Sequence, residues 1–315
     1  MKTMASEPPM FLASFTEAYS FRNLIALLRQ KVKEANFIFS PTKIEITRAD
    51  NSKTTLFEIE IKGSELKIYE YNAYDDETGD LLPCIAVGFN TGEMVKATKH
   101  IKKKDGLNIY MKAGDNNIYI QPTGTNTKDG MRSGFGVVPA IDVEIIDYEK
   151  RHYERSEDNP NAKILASDFS AMCATMMTVK AVSVAATGYV NGIMFKGILA
   201  DKSISRVDRF GQCDNVAKTP ISISNLTEIT QKLKLDDIST TRPKGKSLKL
   251  VVKSREDLCT VHIPANTIKA LSKINNVSLP SAMVKVYSEE GKALKLSAPI
   301  GTYGNIKVYL RDTLC

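Results

Sequence analysis

The sequence predicts an α+β fold made of two similar halves, each with antiparallel strands and two helices. The main observation is a repeated hairpin pattern, LNIYMKAGDNNIYIQP at residues 107–122 and AMVKVYSEEGKALKLSAP at residues 282–299. Each copy is an alternating strand, a Gly-centred turn and a second alternating strand, and each follows a short helix candidate that contains lysine. Such self-similarity indicates a duplicated architecture. Half-buried alternation dominates elsewhere, which favours antiparallel sheets with one face covered by helices.

The size and charge of the chain allow two domains and an anionic partner. Its 315 residues are enough for two ordinary domains, each with its own core. The formal net charge is +7 and the pI is near 9.0, which fits nucleic acid or an acidic partner and equally a mildly basic soluble protein. No stretch approaches the roughly 20 apolar residues of a membrane span, and the first ten residues do not resemble a signal peptide.

Cysteine and histidine usage predicts neither disulfides nor a metal site. The five cysteines are isolated and never form a C-x-x-C pair, and the three histidines do not cluster with them. We therefore expect no metal, no cofactor and a reducing intracellular compartment.

Elements of the first half follow from periodicity. We expect a strand over Phe11–Glu17, a helix from Ser20 to about Ala35 and a second helix over Gly92–Lys104. Period-two segments predict the remaining strands, at Lys43–Ala49, Leu56–Lys62, Glu65–Tyr71 and Pro139–Asp147. The N-terminal domain then spans residues 11–147. The charged segment 148–160 is predicted to be the interdomain connector.

The second half, residues 161–315, repeats this order with an insertion at about 211–247. We expect helices over Asp168–Val179 and Ala265–Asn275. The predicted strands are Ala181–Ala186, Gly192–Leu199, Ile204–Phe210, Leu248–Lys253, Cys259–Ile263 and Asn305–Leu310, together with the repeated hairpin.

Three of the four helix candidates have basic residues on a face separate from their apolar side. These residues are Arg22, Arg29, Lys33, Lys96, Lys99, Lys103, Lys269 and Lys273. Such stripes can contact phosphates without reading bases, and they are also ordinary solvated faces. The third helix differs, because its predicted outward residues, including Ala171 and Thr175, are small and neutral.

Catalytic motifs are missing from the sequence. Acidic pairs such as Asp75-Asp76 and Glu256-Asp257 fall in predicted loops with no partner at a metal-ligand spacing. There is no Walker loop and no G-x-S-x-G motif. We therefore expect a protein that is not an enzyme, with an enzyme acting on nucleic acid as an alternative. A single-strand binder that stacks bases on tyrosines such as Tyr69 and Tyr71 is a further alternative.

Three stretches of the chain resemble the sliding-clamp family, the proliferating cell nuclear antigen of DNA replication. They are residues 17–50, the hairpin at residues 107–122, and YGNIKVYLRD at residues 303–312. The resemblance implies a DNA clamp fold of two duplicated domains, in which helices line the inner face and sheets form the outer wall. It also implies a homotrimeric ring around double-stranded DNA. The expected partners are a DNA polymerase, repair proteins with peptide motifs, and a clamp loader.

Residue roles follow from the same resemblance. It implies that the eight basic residues above face DNA. It places a partner-peptide pocket at Ala49, Ile145, Ile146, Tyr309 and Leu310, with Ala49 where the family usually has Met and Arg311-Asp312 where it has Ala-Pro. The subunit contact would pair the edge strands Ile141–Asp147 and Ile204–Phe210, through Ile141, Val143, Ile145, Ile204, Arg206 and Arg209.

Other assemblies and locations stay open at this point. A monomeric or dimeric clamp-like accessory factor is the main alternative to a ring, because the insertion directly follows one predicted interface strand. The expected location is the nucleus or, for a virus-encoded clamp, a viral replication site.

Overall fold

The computed structural model describes residues 8–124, 135–145, 159–213, 238–241, 249–252, 259–279 and 281–312. The predicted connector and insertion lie mostly outside the described residues, as does Ile146. The described part contains four sheets and a layer of helices.

The elements alternate in the same order in both halves. The helices are α1 (Ala18–Leu28), α2 (Thr91–Thr98), α3 (Ala166–Thr178), α4 (Ala265–Leu271) and α5 (Ile274–Val277), with a 3₁₀ turn at Gly63–Glu65. The strands of the first half are β1 (Phe11–Phe15), β2 (Glu34–Phe39), β3 (Lys43–Ala49), β4 (Thr55–Lys62), β5 (Ile68–Tyr71), β6 (Ile85–Asn90), β7 (Gly106–Met111), β8 (Asn117–Thr123) and β9 (Gly136–Pro139). Those of the second half are β10 (Ala162–Leu165), β11 (Ser183–Tyr189), β12 (Asn191–Ile198), β13 (Ile204–Gln212), β14 (Ile238–Thr241), β15 (Lys249–Val252), β16 (Cys259–Pro264), β17 (Met283–Tyr287), β18 (Leu294–Ile300) and β19 (Gly304–Leu310).

Strand pairing repeats between the halves. In the first half β1-β7-β8-β9 are neighbours, and so are β4-β3-β2-β6. In the second half β10-β17-β18-β19 and β13-β12-β11-β16 are neighbours in the same relative order. The two predicted hairpins are β7–β8 and β17–β18. Their turns place Gly114 and Gly291 at φ values of 71° and 72°, a conformation that glycine adopts without steric cost.

One sheet joins the two halves. Strands β19 and β4 pair antiparallel from Gly304↔Ile61 to Leu310↔Thr55, which produces an eight-stranded sheet. The first half also contributes a five-stranded sheet, β5-β1-β7-β8-β9, and the second half a four-stranded sheet, β13-β12-β11-β16. The shared sheet therefore holds the halves in fixed relation.

A continuous apolar core lies between the sheets and the helices. Phe21 and Leu24 of α1, Phe169 of α3 and Ile268 of α4 are at most 1% exposed and pack in the same cluster as inward strand residues such as Phe57. The three larger sheets therefore each have one face against the helices. We call the opposite face of the eight-stranded sheet its outer face.

Three of the four predicted helices are shorter than periodicity indicated, and α3 matches its prediction closely. α1 ends at Leu28 instead of about Ala35, because the chain leaves the helix to form β2, where Glu34 pairs with Asn90 of β6. α2 ends at Thr98, where the chain turns so that Ile101 N–H donates to the Thr98 carbonyl. The single helix predicted over Ala265–Asn275 is two short helices separated at Ser272 and Lys273. Tertiary pairing here overrides local helix propensity.

The strand predicted over Pro139–Asp147 is a further correction. β9 ends at Pro139, and Ile141 forms only an isolated bridge with Gly88 of β6. The following residues cross over the outer face instead of extending an edge: the Val143 carbonyl accepts from Asn36 Nδ2 at 3.0 Å.

Candidate nucleic-acid and partner-binding surfaces

The helices of both halves form one layer. α1 contacts α2 on one side and α5 on the other, and α3 contacts both α4 and α5. A hydrogen bond joins the halves within this layer, because Asn23 Nδ2 donates to the Asn276 carbonyl at 2.8 Å. Within the second half, Asn275 N–H donates to Ser170 Oγ at 3.2 Å and links α5 to α3. Side chains on the solvent side of this layer can therefore act on one common ligand.

Most of the predicted basic residues are exposed on this layer. They are Arg29, Lys33, Lys96, Lys99, Lys103, Lys269 and Lys273. Lys96 forms an exposed ion pair with Glu93 of the same helix at 2.7 Å. Exposed ion pairs of this kind contribute little to stability, so Lys96 can exchange its partner for a phosphate.

The regular stripes that we predicted are interrupted. Lys33 lies beyond the end of α1, Lys103 lies beyond the end of α2, and Lys273 lies between α4 and α5. The cause is the early termination of these helices. The charges therefore sit on helix ends and the turns that follow them, and the side chains have more freedom than residues in a helix interior.

Arg22 differs from the other basic residues because it has a structural role. It is half-buried, and its guanidinium Nη1 donates to the Ile101 carbonyl at 2.7 Å. The same group lies 5.5 Å from the centre of the Tyr19 ring, and the Lys103 ammonium lies 5.9 Å from that ring. Arg22 thus fastens α1 to the turn after α2. Tyr19 was not among the predicted site residues, and its Tyr-x-x-Arg spacing on α1 was the only available signal.

The neutral surface predicted for α3 is present. Ala171, Ala174 and Thr178 are exposed on it. The hydroxyls of Thr175 and Thr178 donate to the carbonyls of Ala171 and Ala174, at 2.8 Å and 3.1 Å. These hydroxyls are engaged by the helix backbone, so this helix offers a neutral surface.

A small apolar cluster lies on the outer face, separate from the central core. Leu56 and Tyr309 are 2% and 5% exposed and pack with Ala49 and Ala293. We call these four residues the outer cluster. The register explains it, because Ala49 pairs with Leu56 and Leu56 with Tyr309 across β3, β4 and β19. The Tyr309 hydroxyl donates to Glu58 Oε2 at 2.9 Å, which fixes the ring.

Leu310 does not belong to this surface. It is 2% exposed and packs in the central core, so our prediction that it lines the partner pocket is corrected. Successive side chains of a strand point to opposite faces, and Tyr309 already points outward. Leu56 and Ala293 are the residues that the prediction missed. Strand alternation together with the Ala49 position was the signal that could have found Leu56.

The segment 141–145 contacts residues of β6, β2 and β3. Gly88 packs directly under the Ile141 carbonyl, and the Glu144 carbonyl accepts from Arg48 Nη1 at 2.8 Å. Ile145 follows and is 63% exposed. Arg48 precedes Ala49 on β3, but its side chain lies on the opposite face, since Arg48 pairs with the core residue Phe57 and Ala49 pairs with Leu56.

The turn beside Ala49 is rigidly held by Asp50. One carboxylate oxygen accepts from the N–H groups of Thr54 and Thr55 at 2.9 and 3.0 Å, and the other accepts from Ser52 Oγ at 2.9 Å. Lys31 lies 3.8 Å from this carboxylate and donates to Asn266 Oδ1 at 2.9 Å. Burial lowers the pKa of Lys31, and the attraction of Asp50 partly offsets that shift. This network links the turn to the second half.

Two strands at sheet ends expose apolar side chains. β9 ends the five-stranded sheet, where Phe135 and Val137 are 60% and 44% exposed. β13 ends the four-stranded sheet, where Ile204 and Val207 are 57% and 39% exposed. Of the predicted interface residues on β13, Arg206 pairs with Asp208 at 2.6 Å, and Arg209 is exposed.

The described residues contain no group of three or more His, Cys, Asp or Glu side chains that could hold a metal ion. Within the same residues, every helix is too short or too polar to cross a bilayer.

Together, the duplicated pairing, the shared sheet and the single helix layer define a two-module α+β protein with a DNA clamp fold. A crystal structure of proliferating cellular nuclear antigen from Entamoeba histolytica has a TM-score of 0.64 and 15% identity to this chain, and the match covers 96% of this chain and 99% of that one. A PCNA2–PCNA3 complex from Sulfolobus tokodaii has a TM-score of 0.63 and 15% identity, with the same coverage of both chains. This chain therefore has the fold of the PCNA sliding clamps. No protein-family model and no curated protein matches the sequence.

Proposed function

We propose that this protein is a DNA sliding clamp, a ring-forming processivity factor that holds a polymerase and other replication and repair proteins on duplex DNA. The role is one of binding and tethering, without catalysis, and it places the protein wherever its DNA is replicated, such as the nucleus. The observation that carries the proposal is the match between two pairs of strands. β19 and β4 join two sheet blocks inside the chain, and β9 and β13 end the corresponding blocks of the two smaller sheets.

The eight-stranded sheet has the order β10-β17-β18-β19-β4-β3-β2-β6. The two smaller sheets contain β1-β7-β8-β9 and β13-β12-β11-β16, which are the same two blocks from the opposite halves. Pairing β9 of one chain with β13 of the next would therefore join the same two four-stranded blocks as in the eight-stranded sheet, with β5 as a ninth strand at one end. Unpaired strand edges favour such pairing, and the exposed apolar residues Val137 and Ile204 would be covered by it.

A contact of this kind is head-to-tail, so it closes into a ring or continues as a filament. Since each chain contributes two similar modules, three chains would give a ring of six modules. We propose that the homotrimer forms through β9 and β13. Of the residues predicted for the interface, Ile204, Arg206 and Arg209 stay at this contact. The strand that faces them in the next chain is then β9, instead of the predicted residues 141–145.

The helix layer would then face the DNA. Lysines on helix ends and turns can neutralise phosphates at any sequence, which allows the ring to slide and makes binding strongly salt-dependent. Lys96, Lys99, Lys103, Lys269 and Lys273 are the proposed contacts, with Arg29 and Lys33 beside them. Arg22 would act mainly by holding α1 and the Lys103 turn in place.

The outer cluster is the proposed site for partner peptides. It is apolar and lies on the sheet face opposite the helices, the face that residues 141–143 cross. A short peptide with aliphatic and aromatic anchors would pack on the partly exposed Ala49 and Ala293, above the buried Leu56 and Tyr309. We propose that Ile145 and Ile146, which precede the connector, form one side of the site.

Solution mass tests the ring. Size-exclusion chromatography with light scattering should give three times the 34.8 kDa of one chain. Replacing both Ile204 and Val207 with Glu should reduce the mass to that of the monomer, because two charges would be buried at the β13 edge. Val190→Glu is the matched control, since Val190 is 50% exposed in the β11–β12 turn of the same sheet. A wild-type monomer at micromolar concentration would contradict the ring.

DNA association tests the inner face. Changing Lys96, Lys99 and Lys103 together to Glu should weaken association with a duplex at low salt and reduce polymerase stimulation, with the oligomer intact. A control triple change to Glu at Lys62, Lys67 and Lys112 changes the net charge by the same amount, at exposed positions in or directly beside strands. Equal losses in both triple variants would mean that only total charge matters and that the helix layer has no special role.

A further inference from the structure

The outer face contains a second feature next to the outer cluster, a groove of about 370 Å³ over β17, β18 and β19. Its walls include Met283, Lys285, Tyr287, Lys295 and Pro299. We call it the lysine groove. The register makes it continuous with the outer cluster, because Tyr287, Lys295, Tyr309, Leu56 and Ala49 lie opposite one another in a single row across five strands.

Positive charge is concentrated at this groove. Among the described residues that line it, Lys285 and Lys295 are charged and none is a carboxylate. Lys285 also lies directly opposite Lys163 of β10, and both side chains are exposed. Like charges in directly opposite positions of an antiparallel pair repel each other. The site therefore has a local electrostatic cost that an anionic ligand would relieve.

Lys295 adds a buried cation to the same place. It is 3% exposed, and its ammonium lies 4.9 Å from the centre of the Tyr287 ring and 5.9 Å from that of Tyr309. The aromatic faces attract the cation, which reduces the cost of burying it.

The duplication shows that the fold itself does not require this charge. In the first half, β1 and β7 pair as β10 and β17 do. There the outward pairs are Leu12↔Tyr110 and Ser14↔Asn108, all uncharged. The lysines are therefore specific to the second half and to the face that contains the outer cluster.

We propose that the lysine groove binds an Asp or Glu side chain of the same partner peptide whose apolar anchors occupy the outer cluster. This inference rests on the proposed function of the outer cluster. A peptide fits better than nucleic acid, because the groove has room for one or two side chains and has apolar walls at Met283, Tyr287 and Pro299. It is also on the sheet face opposite the helix layer.

The spacing of the peptide residues follows from strand geometry. Neighbouring strands are about 4.8 Å apart, so the centre of the groove lies roughly 10 Å from the outer cluster, two strands away. An extended peptide rises about 3.3 Å per residue. The acidic residue should therefore be about three residues from the nearest apolar anchor.

A displayed library of random 16-residue peptides, selected on the full-length protein, tests this. Selected peptides should contain apolar anchors and an acidic residue at that offset. For a synthetic peptide from the selection, changing the acid to its amide should weaken binding about fivefold in fluorescence anisotropy, a modest effect because the pair is partly exposed. The same acid-to-amide change in the peptide should have little effect on its affinity for the Lys285→Gln variant. Lys62→Gln is the matched control and should behave as the wild type.

The outcomes separate the two proposals. Anchors without an acidic preference would overturn the lysine groove and leave the outer cluster in place. An acidic preference that persists in Lys285→Gln would also overturn the groove. Loss of duplex DNA association in Lys285→Glu, with peptide binding unchanged, would assign the groove to nucleic acid instead. Binders that keep full affinity for Tyr309→Ala would overturn the outer cluster, and the groove with it.

Discussion

Arg22 and Lys99 were predicted to have the same role, and the structure separates them. Replacing Arg22 with Met keeps an apolar stem of similar length and removes the guanidinium. The Ile101 carbonyl, which accepts from it at 2.7 Å, then loses a charged donor, and Tyr19 loses one of its two cations. Lys99→Met removes an exposed charge that follows α2.

The expected magnitudes differ accordingly. A hydrogen bond to a charged group contributes about 1.5–3 kcal/mol, and an exposed cation–π contact about 0.5–1 kcal/mol. Arg22→Met should therefore lower the free energy of unfolding by roughly 2–4 kcal/mol. Lys99→Met should change it by less than about 0.5 kcal/mol, as most surface substitutions do. For DNA binding, Lys99→Met should have the larger effect of the two substitutions. It should reduce the slope of log K against log salt concentration by about 0.9.

Urea unfolding at one fixed protein concentration measures the first effect, since assembly contributes to the apparent stability of an oligomer. Fluorescence anisotropy of a labelled duplex over a series of salt concentrations measures the second. Unfolding midpoints for Arg22→Met and Lys99→Met that coincide with the wild type would refute the structural role of Arg22. Arg22→Lys should recover the charge but only part of the stability, because lysine lacks the planar guanidinium geometry.

Three other changes probe the rest of the molecule. Asp50→Ala should cost about 3 kcal/mol in urea unfolding, because two backbone N–H groups of the adjoining turn lose their acceptor; Asp50→Asn should cost less. Gly88→Ala should displace the segment beginning at Ile141, whose carbonyl an added Cβ would strike, and limited proteolysis should then cut this segment faster. Burial raises the pKa of Cys173, so its thiol should resist Ellman's reagent until the protein unfolds. Cys84 is exposed and should react at once in the folded protein. A thiol reaction of the folded protein that is the same in the Cys84→Ser variant would contradict this.

Strand positions were accessible from the sequence because alternation is a local signal. β3 occupies the predicted Lys43–Ala49, and both repeated hairpins form. The turn glycines Gly114 and Gly291 share one backbone conformation, as the repeat implied. Alternation depends only on neighbours along the chain, so tertiary structure rarely overrides it when one face is buried.

Helix ends and face assignments were less accessible, because they depend on distant contacts. α1 stops where Lys33 offers its carbonyl to Thr91, a residue 58 positions away. No local pattern contains that information. The prediction that Leu310 lines the partner pocket failed for a different reason, because it came from the resemblance to a family motif. Strand alternation would have put Leu310 on the face opposite Tyr309.

The duplication explains why the two surfaces of this protein can differ so much between its halves. Strand pairing and inward apolar residues must repeat, because they build the same module twice. Outward residues have no such constraint: β17 has Lys285 where the pairing places a neutral residue of β7, and α3 has a neutral face where α1, α2 and α4 have or adjoin basic residues. Positive charge that recurs in both halves therefore fits a ligand that contacts both modules, as duplex DNA inside a ring would. Charge confined to one half, as at the lysine groove, fits a partner that contacts one module of each chain.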